Sequence, residues 1–302
     1  MSVSVRRTGR ISWAIALLAA VSGCARGDET RIVAFGDVHG DLEATRSALR
    51  LAGAIDEEDR WIGGGLIVVQ TGDQLDRGND EQAILDLFER LRVESATAGG
   101  AFHALLGNHE LMNAKGDLRY VTDGGFADFA DAVEYDPNDP GLAGFEPHER
   151  ARMAALLPGG PYARLLARRQ VILRVDDILF VHGGVLPDHV TYGIDSINRE
   201  TQAWLRGEAD RPDVLQGSDS PQWTRLYSDE PDSQACEVLM EVLSGLEATR
   251  IIMGHSVQDE GIASACEGRA WRIDVGMAAH YGGPVEVLEI IGDSVQVLRA
   301  DG

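Results

Sequence analysis

The chain has 302 residues, 44% of them hydrophobic and 25% charged, with a net charge of −22 at pH 7. The apolar share is ordinary for a packed core, and the length is large for one domain but acceptable for a single α/β unit. So acidic a surface repels nucleic acid phosphates and speaks against a DNA- or RNA-binding role. It leaves a phosphorylated substrate open, because bound divalent cations invert the local field at a site.

The first 24 residues read as a targeting segment. Arg6, Arg7 and Arg10 give a positive start, and residues 11–20 form an apolar run too short to span a bilayer as a stable helix. Val21, Ser22 and Gly23 then lead to Cys24. This is the pattern of a signal peptide, and its last four residues resemble the lipobox of bacterial lipoproteins. Cys24 would then be the lipidated first residue of an exported, periplasmic, membrane-anchored protein; an ordinary secretory signal is the alternative. Cleavage before Cys24 removes three arginines and no acids, which takes the charge from −22 to −25. Residues 25–30 read as a tether and 31–302 as the catalytic domain.

From there the expected elements alternate. Residues 31–35 (RIVAF) read as a buried strand, 41–52 as a helix, 66–70 (LIVVQ) as a strand, 80–91 as a helix and 101–106 as a strand. The stretch 117–169 differs: short helical pieces around a loop rich in Asp, Pro and Gly suggest a helical insertion walling one side of a cleft. Two strands, 171–175 and 178–181, follow with Asp176 and Asp177 at their turn. Helices are expected over 197–205 and 234–246, and strands over 250–253, 271–275, 285–290 and 294–298. Strand then helix, repeated, predicts an α/β fold: a two-layer β-sandwich flanked by helices.

Five short blocks carry metal-ligand residue types beside glycine: GDVHG (36–40), GDQLDRG (72–78), GNHE (107–110), HGG (182–184) and GHS (254–256). Each sits just past an expected strand end, where α/β architectures bind ligands. They offer Asp37, His39, Asp73, Asn108, His182 and His255, more donors than one ion needs and about right for two sharing a carboxylate. Asp37 and His39 flank Val38, so an extended turn points both one way. Asp73 is the natural bridging carboxylate. Arg77 presents a planar fork suited to phosphate oxygens, and His109 stands as a further ligand or a proton donor.

These blocks resemble the signature of the calcineurin-like metallophosphoesterases, in particular the phosphoprotein phosphatase branch. The additional words WIGGG (61–65), WTRLY (223–227) and DVGM (274–277) are similar to those of bacterial-type Shewanella-like phosphatases. The resemblance implies that Asp37, His39 and Asp73 hold one metal, and that Asp73, Asn108, His182 and His255 hold the second. It further implies that Arg77 and Arg225 grip phosphate, and that His109, oriented by Asp76, protonates the leaving oxygen. The first block continues into Asp41 where eukaryotic serine/threonine enzymes have glutamine, and no toxin-binding C-terminal segment is recognisable.

The expected reaction is phosphomonoester hydrolysis, with a phosphorylated protein or a small phosphate ester as substrate. Two divalent ions about 3.5–4 Å apart would share a hydroxide for in-line attack. Manganese is the first expectation, and iron or zinc the alternatives. A dinucleoside polyphosphate hydrolase and a non-catalytic exported metal-binding lipoprotein are the competing readings. Cys236 and Cys266 stand as either a disulfide or two separate thiols, since spacing alone does not show proximity.

Overall fold

The computed structural model describes residues 30–300 together with positions 1, 2 and 4. The expected signal peptide with Cys24, and the tether up to residue 29, lie outside the described residues. In chain order the elements are β1 (Arg31–Phe35), α1 (Leu42–Leu51), β2 (Ile67–Gln70), α2 (Glu81–Thr97), β3 (Ala101–Ala104) and α3 (Asn108–Ala114). Then come three short helices: α4 (Asp123–Asp128), α5 (Arg150–Leu156) and α6 (Pro161–Leu166). The second half holds β4 (Ile172–Val175), β5 (Ile178–Val181), α7 (Pro187–Tyr192), α8 (Ile194–Leu205), α9 (Ser233–Gly245) and β6 (Arg250–Met253). It closes with β7 (Ala263–Ala265), β8 (Ala270–Arg272), β9 (Glu286–Ile291) and β10 (Ser294–Arg299).

The strands form two five-stranded sheets, ordered β10-β9-β1-β2-β3 and β4-β5-β6-β8-β7. In each, three strands run parallel: β1, β2 and β3 in the first, β5, β6 and β8 in the second. Antiparallel strands finish three of the four edges, and parallel β3 forms the fourth. Side chains of the second sheet sort by the two-residue period of a strand. Ile178, Phe180 and Ile252 face the core shared with the first sheet. Their neighbours Leu179, Val181, Ile251 and Met253 face a second core under the outer helices. The expected sandwich is thus present, with helices packed on it.

Local chemistry explains most boundaries. Asp41 caps α1: its Oδ1 accepts the Ala44 N–H at 2.9 Å, and its Oδ2 accepts the Ala279 N–H at 2.7 Å. The first-block departure to Asp41 therefore ties the start of α1 to the 274–283 loop. Asp176 turns the β4–β5 hairpin with φ 51°, a conformation short polar side chains tolerate. The structure differs from expectation in several places. Helix α2 runs six residues past 91, because Leu91 and Ser95 still bury on its inner side. The strand expected over 271–275 ends at Arg272, where the chain swings into the site. Helices α3, which Asn108 opens, and α7, together with strand β7, add elements not expected from the sequence.

Candidate active site

Every block follows a parallel strand: β1 leads to Asp37 and His39, β2 to Asp73, β3 to Asn108, β5 to His182 and β6 to His255. The loops of the first sheet are tied together through the backbone. Val38 and His39 N–H donate to Asp73 O at 3.2 and 3.0 Å, and Gly40 N–H donates to Gln74 O at 2.8 Å. Glu110, the last residue of GNHE, clamps the second loop to the third. Its carboxylate accepts the N–H groups of Asp73, Gln74, Leu75 and Gly107 at 2.7–3.1 Å. Five site residues hold left-handed φ: His39 (39°), Asp73 (58°), Asp76 (68°), Arg77 (67°) and His255 (70°). Each costs on the order of 1–3 kcal/mol, so the surrounding bonds must enforce it.

Glycine is needed where carboxylates press on the backbone. A Cβ at Gly107 would lie 2.1 Å from Asp73 Oδ1, and one at Gly254 would lie 2.4 Å from Asp37 Oδ1. Neither contact is survivable without moving a site carboxylate, which is why these blocks pair glycine with their functional residues.

Two of the site imidazoles are oriented through their Nδ1 atoms. His39 Nδ1–H donates to Leu75 O at 3.1 Å and His182 Nδ1–H to Thr71 O at 3.0 Å, so each Nε2 lone pair faces the cleft. His182 Nε2 lies 2.8 Å from Asn108 Oδ1 and 3.2 Å from Asp73 Oδ2. Burial pushes His39 down to about 3 and His255 down to about 2. His255 Nε2 is buried with no hydrogen-bond partner among the described residues. Burial also acts on Asp73, raising it, but His182 and His109 beside it outweigh that and hold the carboxyl well below the usual range. Asp37 goes the other way: burial, Asp274 and Asp73 all raise it, while burial pushes Asp274 up to about 6.

These donors form two groups, His39–Asp73–His109 and Asp73–His182–His255, each with ligand atoms within 4.8 Å of one another. They share Asp73. The unpartnered His255 Nε2, two imidazoles oriented through Nδ1 and one common carboxylate fit a pair of divalent ions. Asn108 sits against His182, and Asp37 accepts from the His255 N–H at 3.3 Å while contacting Asp274. All six expected ligands therefore converge.

His109, Arg77 and Arg225 line the same cleft of about 100 Å³, and Asp76 lies fully buried against His109. His109 Nδ1 lies 2.6 Å from Asp76 Oδ2, and its Nε2 points inward, 3.7 Å from Asp73 Oδ2. Burial lowers His109, but Asp73 and Asp76 overcome it and the net shift is upward. The Arg77 guanidinium lies 5.0 Å from the Tyr120 ring centroid and 5.1 Å from that of Tyr281. Arg225 Nη1–H donates to His255 O at 3.1 Å and to Ser256 Oγ at 2.6 Å. Sequence reasoning had no role for Glu110, Asn113, Tyr120, Arg152 or Asp274. Glu110 and Asp274 lie inside words that were noticed; the other three carry no local signal.

An α/β sandwich whose parallel strands aim five histidine- and aspartate-bearing loops at one cleft, with two donor groups joined through Asp73, has the construction of a dinuclear phosphoesterase. Comparison agrees: the chain matches the calcineurin-like phosphoesterase family over residues 30–259 and belongs to it, so it is a phosphoester hydrolase of a family that uses divalent metals. It is 41% identical to Shewanella-like protein phosphatase 2 of Arabidopsis thaliana, over 87% of this chain and 76% of that one. It is 29% identical to Shewanella-like protein phosphatase 1 of Plasmodium berghei, over 89% and 74%. Its fold is like that of the cold-active protein-tyrosine phosphatase of a psychrophilic Shewanella species, with a TM-score of 0.69, 24% identity, and coverage of 90% and 81%.

Proposed function

We propose that the protein removes phosphate from phosphorylated proteins, phosphotyrosine first among them. The observation that carries this is the His109–Asp76 pair opening onto the cleft that both donor groups share. A metal carrier needs the donors but not an oriented proton source. Tyr120 stands 5.1 Å from His109, ring to ring, and lines the same cleft, so an aryl group has a surface to stack on. The names of the similar Shewanella-like proteins support the protein substrate.

In this reading Asp37, His39 and Asp73 hold one ion, and Asp73, Asn108, His182 and His255 the other, with manganese first and iron or zinc as alternatives. Bound, the pair would supply a nucleophile at neutral pH and charge against phosphoryl oxygens. Arg77, held between two tyrosine rings, and Arg225, tethered to His255 O, orient the phosphate and offset its charge. His109 Nε2–H gives its proton to the leaving oxygen, while Asp76 steadies the imidazolium through Nδ1.

The deciding assay is phosphate release by the chain from residue 25 onward, stripped of metal and reloaded with manganese. Phosphotyrosine peptides, phosphoserine/threonine peptides and diadenosine tetraphosphate form the panel. Turnover of phosphotyrosine peptides is expected; turnover of the dinucleotide alone moves the protein to nucleotide hydrolysis, and two bound metals with no turnover favours metal carriage. We also propose export with lipid attachment at Cys24. Cys236 and Cys266 join in a disulfide with Cα atoms 5.2 Å apart, which suits an oxidising compartment. Loss of membrane association on Cys24→Ala is the expected result, and an unchanged distribution would refute it.

A further inference from the structure

Residues 117–169 carry none of the five blocks, yet Arg152 of α5 is the bulkiest fully buried side chain among the described residues. A buried guanidinium is tolerated only where its N–H groups are met. Here Nε–H donates to Asn113 Oδ1 at 2.9 Å, Nη1–H donates to Gly125 O at 3.0 Å and contacts Glu81, and Nη2–H donates to Asp76 Oδ1 at 3.3 Å. Its plane also lies 4.9 Å from the Phe129 ring centroid.

The contacts with Asn113, Glu81 and Asp76 bear on one residue, Asp76. Asn113 Nδ2–H donates to the same Asp76 Oδ1 at 2.9 Å and to His109 O at 3.0 Å. Glu81 Oε1 accepts the Asp76 N–H at 2.9 Å. Asp76 Oδ1 is thus filled by two donors, and Oδ2 is left for His109 Nδ1 at 2.6 Å. Asp76 has φ 68°, so its backbone would not hold this pose unaided. Asp76, Glu81, Asn113 and Arg152 are all fully buried, and rearrangement has no water to lean on.

We propose that Arg152 is a positioning residue for proton donation: it locks Asp76 so that His109 faces the leaving oxygen, which makes the 117–169 segment a working part of the reaction. This rests on the reading of His109 as the acid. A salt bridge that served only the fold would affect every substrate alike, whereas a positioning residue for the acid matters in proportion to how much the leaving group needs a proton.

The test compares R152K, H109A and the double variant, each loaded with manganese, on an alkyl phosphate (a phosphoserine peptide) and on p-nitrophenyl phosphate. R152K keeps the positive charge between Asp76 and Glu81 and so preserves the fold, but an ammonium is a point charge and does not reproduce the fork. R152M, which leaves two carboxylates uncountered, is at risk of unfolding and is the secondary variant. Since complete loss of a general acid removes about 10²–10⁴-fold, R152K is expected to lose roughly 10–100-fold in kcat on the alkyl ester. Metal content and the rate on the activated aryl ester should hardly move, and in the H109A background R152K should cost nothing more. Equal losses on both esters, or additive losses in the double variant, overturn the proposal. If H109A itself shows no dependence on the leaving group, the acid reading falls and this assignment with it. If H109A shows that dependence and R152K does not, only the role of Arg152 falls.

Discussion

The two sheets contribute to the site in different ways. Loops of the first sheet bring Asp37, His39, Asp73 and Asn108, and they are bound to one another by backbone bonds to Asp73 and Gln74 and by the Glu110 clamp. Loops of the second bring His182 and His255; Gly254 N–H to His182 O joins them to each other, and His182 Nδ1–H to Thr71 O and His255 N–H to the Asp37 carboxylate dock them on the first. One sheet is a cross-braced frame and the other presents imidazoles to it. Preorganisation lies mainly in the frame, and the second half completes it.

The largest expected effect follows from the shared carboxylate. Asp73→Asn should lose both metals, with kcat falling by about a thousandfold or more, since each ion contributes several kcal/mol at the transition state. His255→Ala should release only one. Metal content by atomic emission beside kcat separates the two; equal loss from both variants would erase the distinction between the sheets.

Next comes the brace itself. Glu110→Gln keeps the shape but turns charge-assisted acceptors into neutral ones and sets an amide against backbone donors. We expect about 2–3 kcal/mol of lost stability in urea unfolding of the metal-free protein. A midpoint like that of the parent would mean the frame does not depend on this clamp.

The third effect is a displacement of the pH profile. Asp73 and Asp76 raise His109 against the pull of burial, so the protonated acid persists to higher pH. Removing one of those anions with Asp76→Asn lets burial prevail. The alkaline limb of kcat on an alkyl phosphate should then move to lower pH; a limb that stays or moves upward counts against the dyad. The smallest effect on turnover belongs to the periphery of the second half. Replacing Cys236 and Cys266 by serine opens a crosslink of sequence separation 30, which costs about 3–4 kcal/mol of stability by loop entropy. Activity below the lowered melting temperature should be unchanged; a drop in kcat would tie the disulfide to the cleft.

The extent to which this could be read from sequence depended on range. The five blocks were legible because each packs its ligand, its glycine and its strand end into a few residues, and the structure brings all six expected ligands together. The pairing of Cys236 with Cys266 stayed open because separation along the chain says nothing of distance. Arg152 was invisible: an arginine in a short helix reads as a surface charge, and only the fold shows it buried beside Asp76. Asp274 was noticed within its word but had no role until the strand proved to end at Arg272 and let the chain turn toward Asp37. The Tyr120 ring reaches Arg77 from a segment without sequence periodicity.

The left-handed residues at the centre have a thermodynamic consequence. His39, Asp73, Asp76, Arg77 and His255 are held in conformations their own backbones disfavour. A ligand that binds only the closed arrangement is linked to that closure by mass action. In hydrogen-exchange terms, the amides of Asp73 and Arg77 would open locally in the apoprotein at a free energy below that of global unfolding, and metal loading would raise that opening energy. The turns that aim the ligands would thus double as a reporter of occupancy.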